Sequence, residues 1–381
     1  MAEEKRFCQN VFCGFVELKN RSIDLQSRLH YLDGLRGVAI LLVLGFHSYS
    51  RWPEIVPYGN AYKDFPLFQL GWLGVELFFL ISGFVIFMTL DRTEDFRIFI
   101  YKRWLRLFPA MLLASVLVYF TVPLFYERPA GIPNLLDLIP GLTFIEPGWW
   151  SKLFGTQFRS LEGAFWSLYV EFKFYVIAGL VYYFLGRKFL VPALLFLFLS
   201  SMAIAKVQVG NNLELLYLMS KITQMLSLKY FGWFCSGALF YLYHQSKNEG
   251  YYLMAIGMAV ISSINTGIYF SAIVAALMIS SLFALSLRVV YLQKLLKNKL
   301  FMLFGFVSYP LYLMHENAMV SMIVKSQALL PSIDMFFYPV IPIAFLVSIS
   351  FIVAKVFDPQ VKLYLDTIIQ SKLNKVFQRA R

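Results

Sequence analysis

Long apolar runs alternate with short polar segments along most of this chain. Ten of the runs approach the roughly 20 residues that a helix needs to cross a bilayer. They lie at 35–52, 70–90, 101–124, 164–185, 189–206, 225–244, 251–267, 268–287, 301–325 and 334–357. Only a turn-like "NTG" at 265–267 divides the seventh run from the eighth. The pattern predicts an all-α, polytopic membrane helix bundle of about ten transmembrane helices.

The composition agrees with a membrane protein and argues against other classes. Of the 381 residues, 59% are hydrophobic and 15% are charged, which is too little charge to cover a soluble domain of this size. The net charge is +12, but Lys and Arg occur in short blocks between apolar runs rather than on one basic face. We therefore expect contact with the lipid bilayer and no binding of nucleic acid.

The basic blocks also predict an orientation. Ten spans put both termini on one side of the membrane. A cytoplasmic N-terminus leaves most of the Lys and Arg in cytoplasmic segments, including 92–106 and 288–299. This is the positive-inside pattern, so we predict that both termini are cytoplasmic.

Three parts follow from this division: a cytoplasmic N-terminal segment at 1–34, a transmembrane domain at 35–357 and a basic cytoplasmic tail at 358–381. The first thirty residues have no continuous apolar core and no small-residue cleavage site. We therefore expect no signal peptide, and the first membrane helix must itself direct insertion. The three cysteines give no even-numbered disulfide framework, and we expect reduced thiols.

Ionisable side chains inside the apolar runs are costly and call for a partner or a function. Arg36 and His47 are eleven residues apart, so on one helix they share a face and lie about 16 Å apart along the axis. Taken singly, Arg36 is explained by a side chain that reaches the headgroups. His47 alone is explained by a neutral imidazole that is hydrogen-bonded inside the bundle.

Three further titratable groups favour a functional interpretation of His47. Glu76, Glu171 and His315 lie on three other predicted helices, at a depth similar to that of His47. We expect these four groups to line one cavity and to serve as catalytic residues. A carboxylate beside an imidazole fixes its tautomer and raises its basicity, as general-base chemistry requires.

A second cluster is predicted at the cytoplasmic side. Arg103 and Arg106, at i and i+3, share one face of the third predicted helix, and Arg36 can join them from the first. Each arginine alone is explained as an anchor to anionic lipid. Together, their planar forks suit the phosphates of an elongated donor such as acyl-coenzyme A, whose reactive arm would reach His47.

Several segments resemble the integral-membrane acyltransferase 3 family, whose members O-acylate cell-surface glycans. They occur in the order of that family: "YLDGLRGVAILLVLGFH", "GWLGVELFFLISGFVI", "RWLRLFPA", "FWSLYVEFKFY" and "SYPLYLMH". Two details differ from many relatives. Glu76 stands where they carry Asp, and "EN" follows His315 where they often place a Pro two residues beyond.

The resemblance implies a ten-helix fold, a catalytic role for His47 with Arg36 as its motif partner, and coenzyme A contacts for Arg103 and Arg106. It also implies a multi-pass protein of the bacterial inner membrane. The expected reaction moves an acyl group, with acetyl as the default, from cytoplasmic acetyl-coenzyme A to a hydroxyl of a saccharide or glycolipid. His47 would act either as a general base or as a transient acyl carrier. We expect no metal.

Two alternatives use the same residues differently. Intramembrane His and Glu also form proton relays in proton-coupled transporters, although no internal repeat supports that function. A non-catalytic membrane scaffold would tolerate loss of His47.

Overall fold

Residues 29–208, 214–266 and 269–379 are described by a computed structural model, and within them the chain forms sixteen α-helices and no strand. The helices are α1 His30–Tyr49, α2 Pro66–Gln69, α3 Gly74–Leu90, α4 Phe96–Phe120, α5 Leu138–Thr143, α6 Pro147–Phe154, α7 Trp166–Leu180, α8 Leu190–Gln208, α9 Glu214–Met225, α10 Phe231–Ser246, α11 Glu249–Thr266, α12 Phe270–Ser286, α13 Val290–Leu296, α14 Lys299–Leu329, α15 Val340–Ile352 and α16 Asp358–Arg379. The described residues from Tyr31 onward form one compact unit.

Side-chain caps mark where two of the long helices begin. The Asp95 carboxylate accepts a hydrogen bond from the Ile98 amide at the start of α4, at 2.9 Å. The Asn298 side chain likewise accepts from the Leu300 amide at the start of α14, at 2.9 Å. Such caps satisfy amides that have no partner inside the helix. This explains why a polar residue stands directly before each of these two helices.

Six helical segments in the described part of the chain are long and apolar enough to cross a membrane. They are His30–Tyr49, Gly71–Leu90, Phe96–Phe120, Gly163–Leu185, Arg187–Val207 and Met335–Ile369. The pair formed by α12 and α13, bent by 107°, gives a seventh if it counts as one span. The prediction of an all-α, polytopic helix bundle is confirmed.

The remaining predicted runs are helical too, but they differ from ordinary spans. Helix α10 has only 16 residues, fewer than the roughly 20 that match the hydrocarbon core. Helix α14 has 31 residues but carries His315, Glu316 and Asn317 in its buried middle. The count of ten and the orientation therefore stay predictions.

Helix α1 packs against α14 at backbone distance. A Cβ atom at Gly37 would collide with the carbonyl oxygen of Phe301, and one at Gly305 with that of Asp33. At the other end of α1, the Ser48 hydroxyl contacts the Met319 sulfur at 3.3 Å. The start of α1 thus lies beside residues 301–305 and its end beside Met319, so α1 and α14 run in the same direction and His47 lies beside His315.

Polar loops close the same end of the bundle. The Tyr58 hydroxyl donates to the Ser48 carbonyl, and the Tyr49 hydroxyl donates to the Phe336 carbonyl at 2.6 Å. The Tyr49 ring also stacks on Phe68 at a centroid distance of 4.2 Å. These contacts hold the last turn of α1, just beyond His47, in one place.

Some predicted features lie outside the described residues. These are the N-terminal segment up to residue 28, with Cys8 and Cys13, and the side chains of the basic residues near the C-terminus. Cys235 lies buried in α10 as a free thiol.

Candidate active site

His47 is held by its own helix near the end of α1. Its Nδ1 lies 3.0 Å from the Val43 carbonyl oxygen. A carbonyl oxygen can only accept, so Nδ1 carries the proton and donates it. The other ring nitrogen, Nε2, is then left with a free lone pair.

His315 on α14 lies against His47. The two rings meet edge to face, with centroids 4.7 Å apart. Nδ1 of His315 lies 2.9 Å from the Tyr312 carbonyl oxygen, so this nitrogen also carries the proton. Nε2 of His315 therefore accepts from Nδ1 of His47, at 3.2 Å. The backbone carbonyls of two helices thus fix both tautomers, and they leave Nε2 of His47 basic.

Glu316 supplies a carboxylate next to that basic nitrogen. Its Oε1 lies 3.6 Å from Nε2 of His47, which is too long for a hydrogen bond but close enough to stabilise an imidazolium. Its Oε2 accepts from the Ala164 amide at 2.7 Å. A Cβ at Gly163 would lie 2.7 Å from Oε2, so any larger residue at this position would displace the carboxylate. We call His47, His315 and Glu316 the histidine cluster.

Hydrogen bonds of Asn317 hold the part of α14 that carries Glu316. The Asn317 amide N–H donates to Glu162 at 3.0 Å, and the Asn317 side chain donates to the Leu161 carbonyl at 3.0 Å. The same side chain accepts from the Ala130 amide at 2.9 Å. Burial, and then the nearby Glu316 carboxylate, raise the pKa of Glu162 to about 8. Asn317 thus anchors two parts of the connection between α4 and α7 beside His47.

A cavity of about 220 Å³ lies in front of the histidine cluster. Its lining joins α1, α3, α7, α14 and two loops. It is lined by Val43, Phe46, His47, Arg51, Trp52, Trp72, Val75, Pro129, Ala130, Gly163, Ala164, Trp166, Tyr312 and Glu316. An apolar, aromatic pocket with a few converging polar groups is typical of a small-molecule site.

Arg36, Arg103 and Arg106 form a second group, which we call the arginine cluster. Arg36 lies in electrostatic range of Arg106, and Arg103 in range of both others. Asp33 pairs with Arg36 at 2.7 Å. The Nε of Arg103 is buried and has no hydrogen-bond partner among the described residues. Three guanidiniums that repel one another, one of them with an unsatisfied donor, make a suitable site for an anion such as a phosphate.

The expected position of Glu171 needs correction, because this residue does not line the cavity with His47. Its carboxylate accepts from the Ser82 hydroxyl at 2.7 Å and from the Tyr175 hydroxyl at 2.6 Å. It lies in electrostatic range of Arg36 and Arg103. The physical reason is depth: Ala164 contacts Glu316, and Glu171 follows seven residues later, about 10 Å further along the helix.

Glu76 lies beside the cavity but is not part of its lining. Its neighbour Val75 lines the cavity, and successive helical residues point about 100° apart. Glu76 is buried, in electrostatic range of Lys229 and Tyr230, and its Oε2 has no hydrogen-bond partner within the described part of the chain. Of the four titratable groups expected to converge, the structure therefore joins only His47 and His315 directly.

Glu316 is the site residue that sequence reasoning missed. The signal was present, since Glu316 is a carboxylate inside the predicted run at 301–325, directly after His315. Asn317 and Glu162 were missed as well, because their role depends on a loop contact. Among the described residues, no group of three or more His, Cys, Asp or Glu side chains could hold a metal ion.

Comparison with known proteins gives a family for most of the chain. A family described as an acyltransferase domain matches residues 29–356. No solved structure matches.

Curated relatives resemble about two fifths of the chain. An O-acetyl transferase of Shigella phage Sf6 is 28% identical over 181 residues, which cover 44% of this chain and 51% of that protein. The O-acetyltransferase OatA of Staphylococcus aureus is 29% identical over 168 residues, which cover 42% of this chain and 25% of OatA. A putative peptidoglycan O-acetyltransferase, YrhL, of Bacillus subtilis is 29% identical over 160 residues, 38% of this chain and 22% of YrhL. The matched part thus spans about half the length of the phage protein and less of the others.

Proposed function

This chain belongs to the acyltransferase 3 family, and from that premise we propose that it is a membrane O-acyltransferase. The acyl group is acetyl, and the acceptor is a hydroxyl of a cell-surface or membrane-linked saccharide. The relatives named O-acetyltransferases support the reaction class. The observation that carries the proposal is the free lone pair on Nε2 of His47, which faces the cavity while both tautomers are fixed behind it.

In the proposed reaction, Nε2 of His47 removes the proton from the acceptor hydroxyl. The hydroxyl oxygen then attacks the carbonyl carbon of the acyl thioester and forms a new C–O bond. The C–S bond breaks, and the thiolate leaves with the proton that His47 took up. During this sequence the imidazolium is stabilised by Glu316 on the Nε2 side and by His315 on the Nδ1 side.

His315 and Glu316 have different roles in this proposal. His315 is a positioning residue, because it is fully buried, does not line the cavity, and its ring nitrogens contact the His47 ring and the Tyr312 carbonyl. Glu316 lines the cavity and lies beside the nitrogen that takes the proton.

We further propose that the donor is acyl-coenzyme A and that its phosphates bind at the arginine cluster from the cytoplasmic side. The mutual repulsion of Arg36, Arg103 and Arg106 and the unsatisfied Nε of Arg103 support an anionic ligand. Arg36 and His47 lie on the same helix, about 16 Å apart along its axis, a distance that an extended pantetheine-like arm can cover.

The test measures transfer of isotopically labelled acetyl from acetyl-coenzyme A to surface saccharides in membranes that contain or lack this protein. Mass spectrometry of the saccharides should show labelled O-acetyl groups only with the protein. A transporter or scaffold gives no labelled ester with the purified protein, and that result would overturn the proposal. An acetylated His47 trapped without acceptor would indicate an acyl carrier instead of a base.

A further inference from the structure

Two donor groups line the cavity in front of His47 without an acceptor among the described residues. Arg51 lies two residues beyond the end of α1, lines the cavity and is exposed to water. Its side chain makes no ion pair or hydrogen bond with any described residue. Its guanidinium lies 4.6 Å from the centroid of the Trp52 ring. The indole nitrogen of Trp52 is buried and also lacks an acceptor within the described residues. A buried polar group without a partner calls for an explanation, and a ligand oxygen is one.

The Glu316 carboxylate, in the same cavity, already has a hydrogen-bond donor within the protein. Glu316 accepts from the Ala164 amide through Oε2, and its Oε1 lies 3.6 Å from Nε2 of His47. Arg51 lies in electrostatic range of both His47 and Glu316 but forms no ion pair with the latter. Nε2 of His47 is the acceptor for the reacting hydroxyl, and the donors left for the rest of a ligand are Arg51 and the Trp52 indole. A guanidinium favours an anionic group.

The remaining walls suit a sugar ring. Trp52, Trp72 and Trp166 come from three separate parts of the chain and meet around one cavity of about 220 Å³. Flat aromatic faces pack against the C–H faces of a pyranose, and amphipathic rings combine apolar contact with hydrogen bonding.

We propose that this cavity is the acceptor subsite and that it selects a pyranose bearing a carboxylate, which Arg51 binds through two parallel hydrogen bonds. The ring stacks on the tryptophans, and the hydroxyl to be acylated lies towards Nε2 of His47. The inference rests on the proposed function, because it names the acceptor class of the same site. A guanidinium fork matches the planar carboxylate, whereas an ammonium does not.

Binding of two small probes tests the proposal without any acyl donor. Purified full-length protein in detergent is titrated with methyl glucuronide and with methyl glucoside, and tryptophan fluorescence is recorded. The glucuronide should bind about tenfold more tightly, the lower end of the range for a charge-assisted hydrogen bond, because Arg51 is exposed to water.

Variants separate the arginine from the ring stack. In Arg51→Gln the two sugars should bind equally, and Arg51→Lys should restore only part of the difference. Arg92→Gln, which removes an exposed arginine that does not line the cavity, should retain the full preference. Equal affinities in the unmodified protein, or no saturable binding of either sugar, would overturn the proposal.

The outcome is separable from that of the proposed function. His47→Ala should abolish transfer but keep the preference for the glucuronide. If the preference is found and no transfer occurs, the reaction is wrong and the subsite stands. If transfer occurs and the glucuronide has no advantage, the subsite is wrong and the reaction stands.

Discussion

The histidine cluster and the arginine cluster differ in how far the protein itself supplies partners for their polar groups. In the histidine cluster, both Nδ1–H groups and one Glu316 oxygen have partners within the protein. In the arginine cluster, three like charges share one region and a buried Arg103 donor has no described partner. A site complete before any ligand arrives is suited to chemistry, and an incomplete one is suited to binding an anion. Variants at the first should therefore lower kcat, and variants at the second should raise the KM for the donor.

The largest effect is expected for His47→Ala. Loss of a general base typically costs about 10²–10⁴-fold in rate, so labelled acetyl transfer should fall by that amount. His244→Ala is the matched control, because His244 lies on α10 outside the cavity lining. Transfer near the normal rate in a His47→Ala protein of unchanged thermal stability would contradict the assignment of the base.

Glu316→Gln should lower kcat by about tenfold to a hundredfold and leave the donor KM unchanged. The variant keeps the shape of the side chain but removes the charge that stabilises the imidazolium, an effect comparable to losing a charge-assisted hydrogen bond. Glu249→Gln, which removes an exposed carboxylate on α11, should leave kcat unchanged. A rise in KM alone would move Glu316 from the chemistry to substrate binding.

Arg106→Ala should raise the KM for acyl-coenzyme A by about tenfold, with kcat close to normal. This is the lower end of the range for a charge-assisted hydrogen bond, because Arg106 is exposed. Arg106→Lys should rescue the loss only in part, since an ammonium has no planar fork. The control is Arg92→Ala, which removes another exposed arginine and should leave the donor KM unchanged. Full rescue by Lys, or altered insertion with an unchanged donor KM, would favour a lipid anchor.

The smallest effect concerns the stability of the fold rather than turnover, and it involves Glu162, which accepts from the Asn317 amide beside the histidine cluster. The pKa of Glu162 rises from 4.5 to about 8 through burial. The folded protein therefore holds a proton that the unfolded chain releases, and its stability falls as pH rises from about 4.5 to 8. Melting temperatures measured across that range should decline less steeply for Glu162→Gln than for the unmodified protein. Parallel curves for the two proteins would show that Glu162 does not titrate there.

The sequence by itself determined the helical class and the residues of one helix that carry chemistry. Apolar runs with few charges leave helices as the solution that satisfies the backbone in lipid. The helical rise then sets the spacing of Arg36 and His47 on one face. Motif order identified the family and drew attention to Arg103, Arg106 and His315. These conclusions depend on local spacing, which the chain carries in its own order.

Only the tertiary structure decided which groups meet. Glu171 and Glu76 have depths that allow contact with His47, but the contact also depends on helix rotation and on the register between helices. Glu171 lies seven residues beyond Ala164 and therefore near the arginine cluster. Glu76 follows the cavity residue Val75 by one position on α3 and points away from the cavity. Glu316 gained its position because α14 runs beside α1 and Gly163 leaves room for its carboxylate. Register and close approach depend on contacts between distant segments, and no pattern within a single segment encodes them.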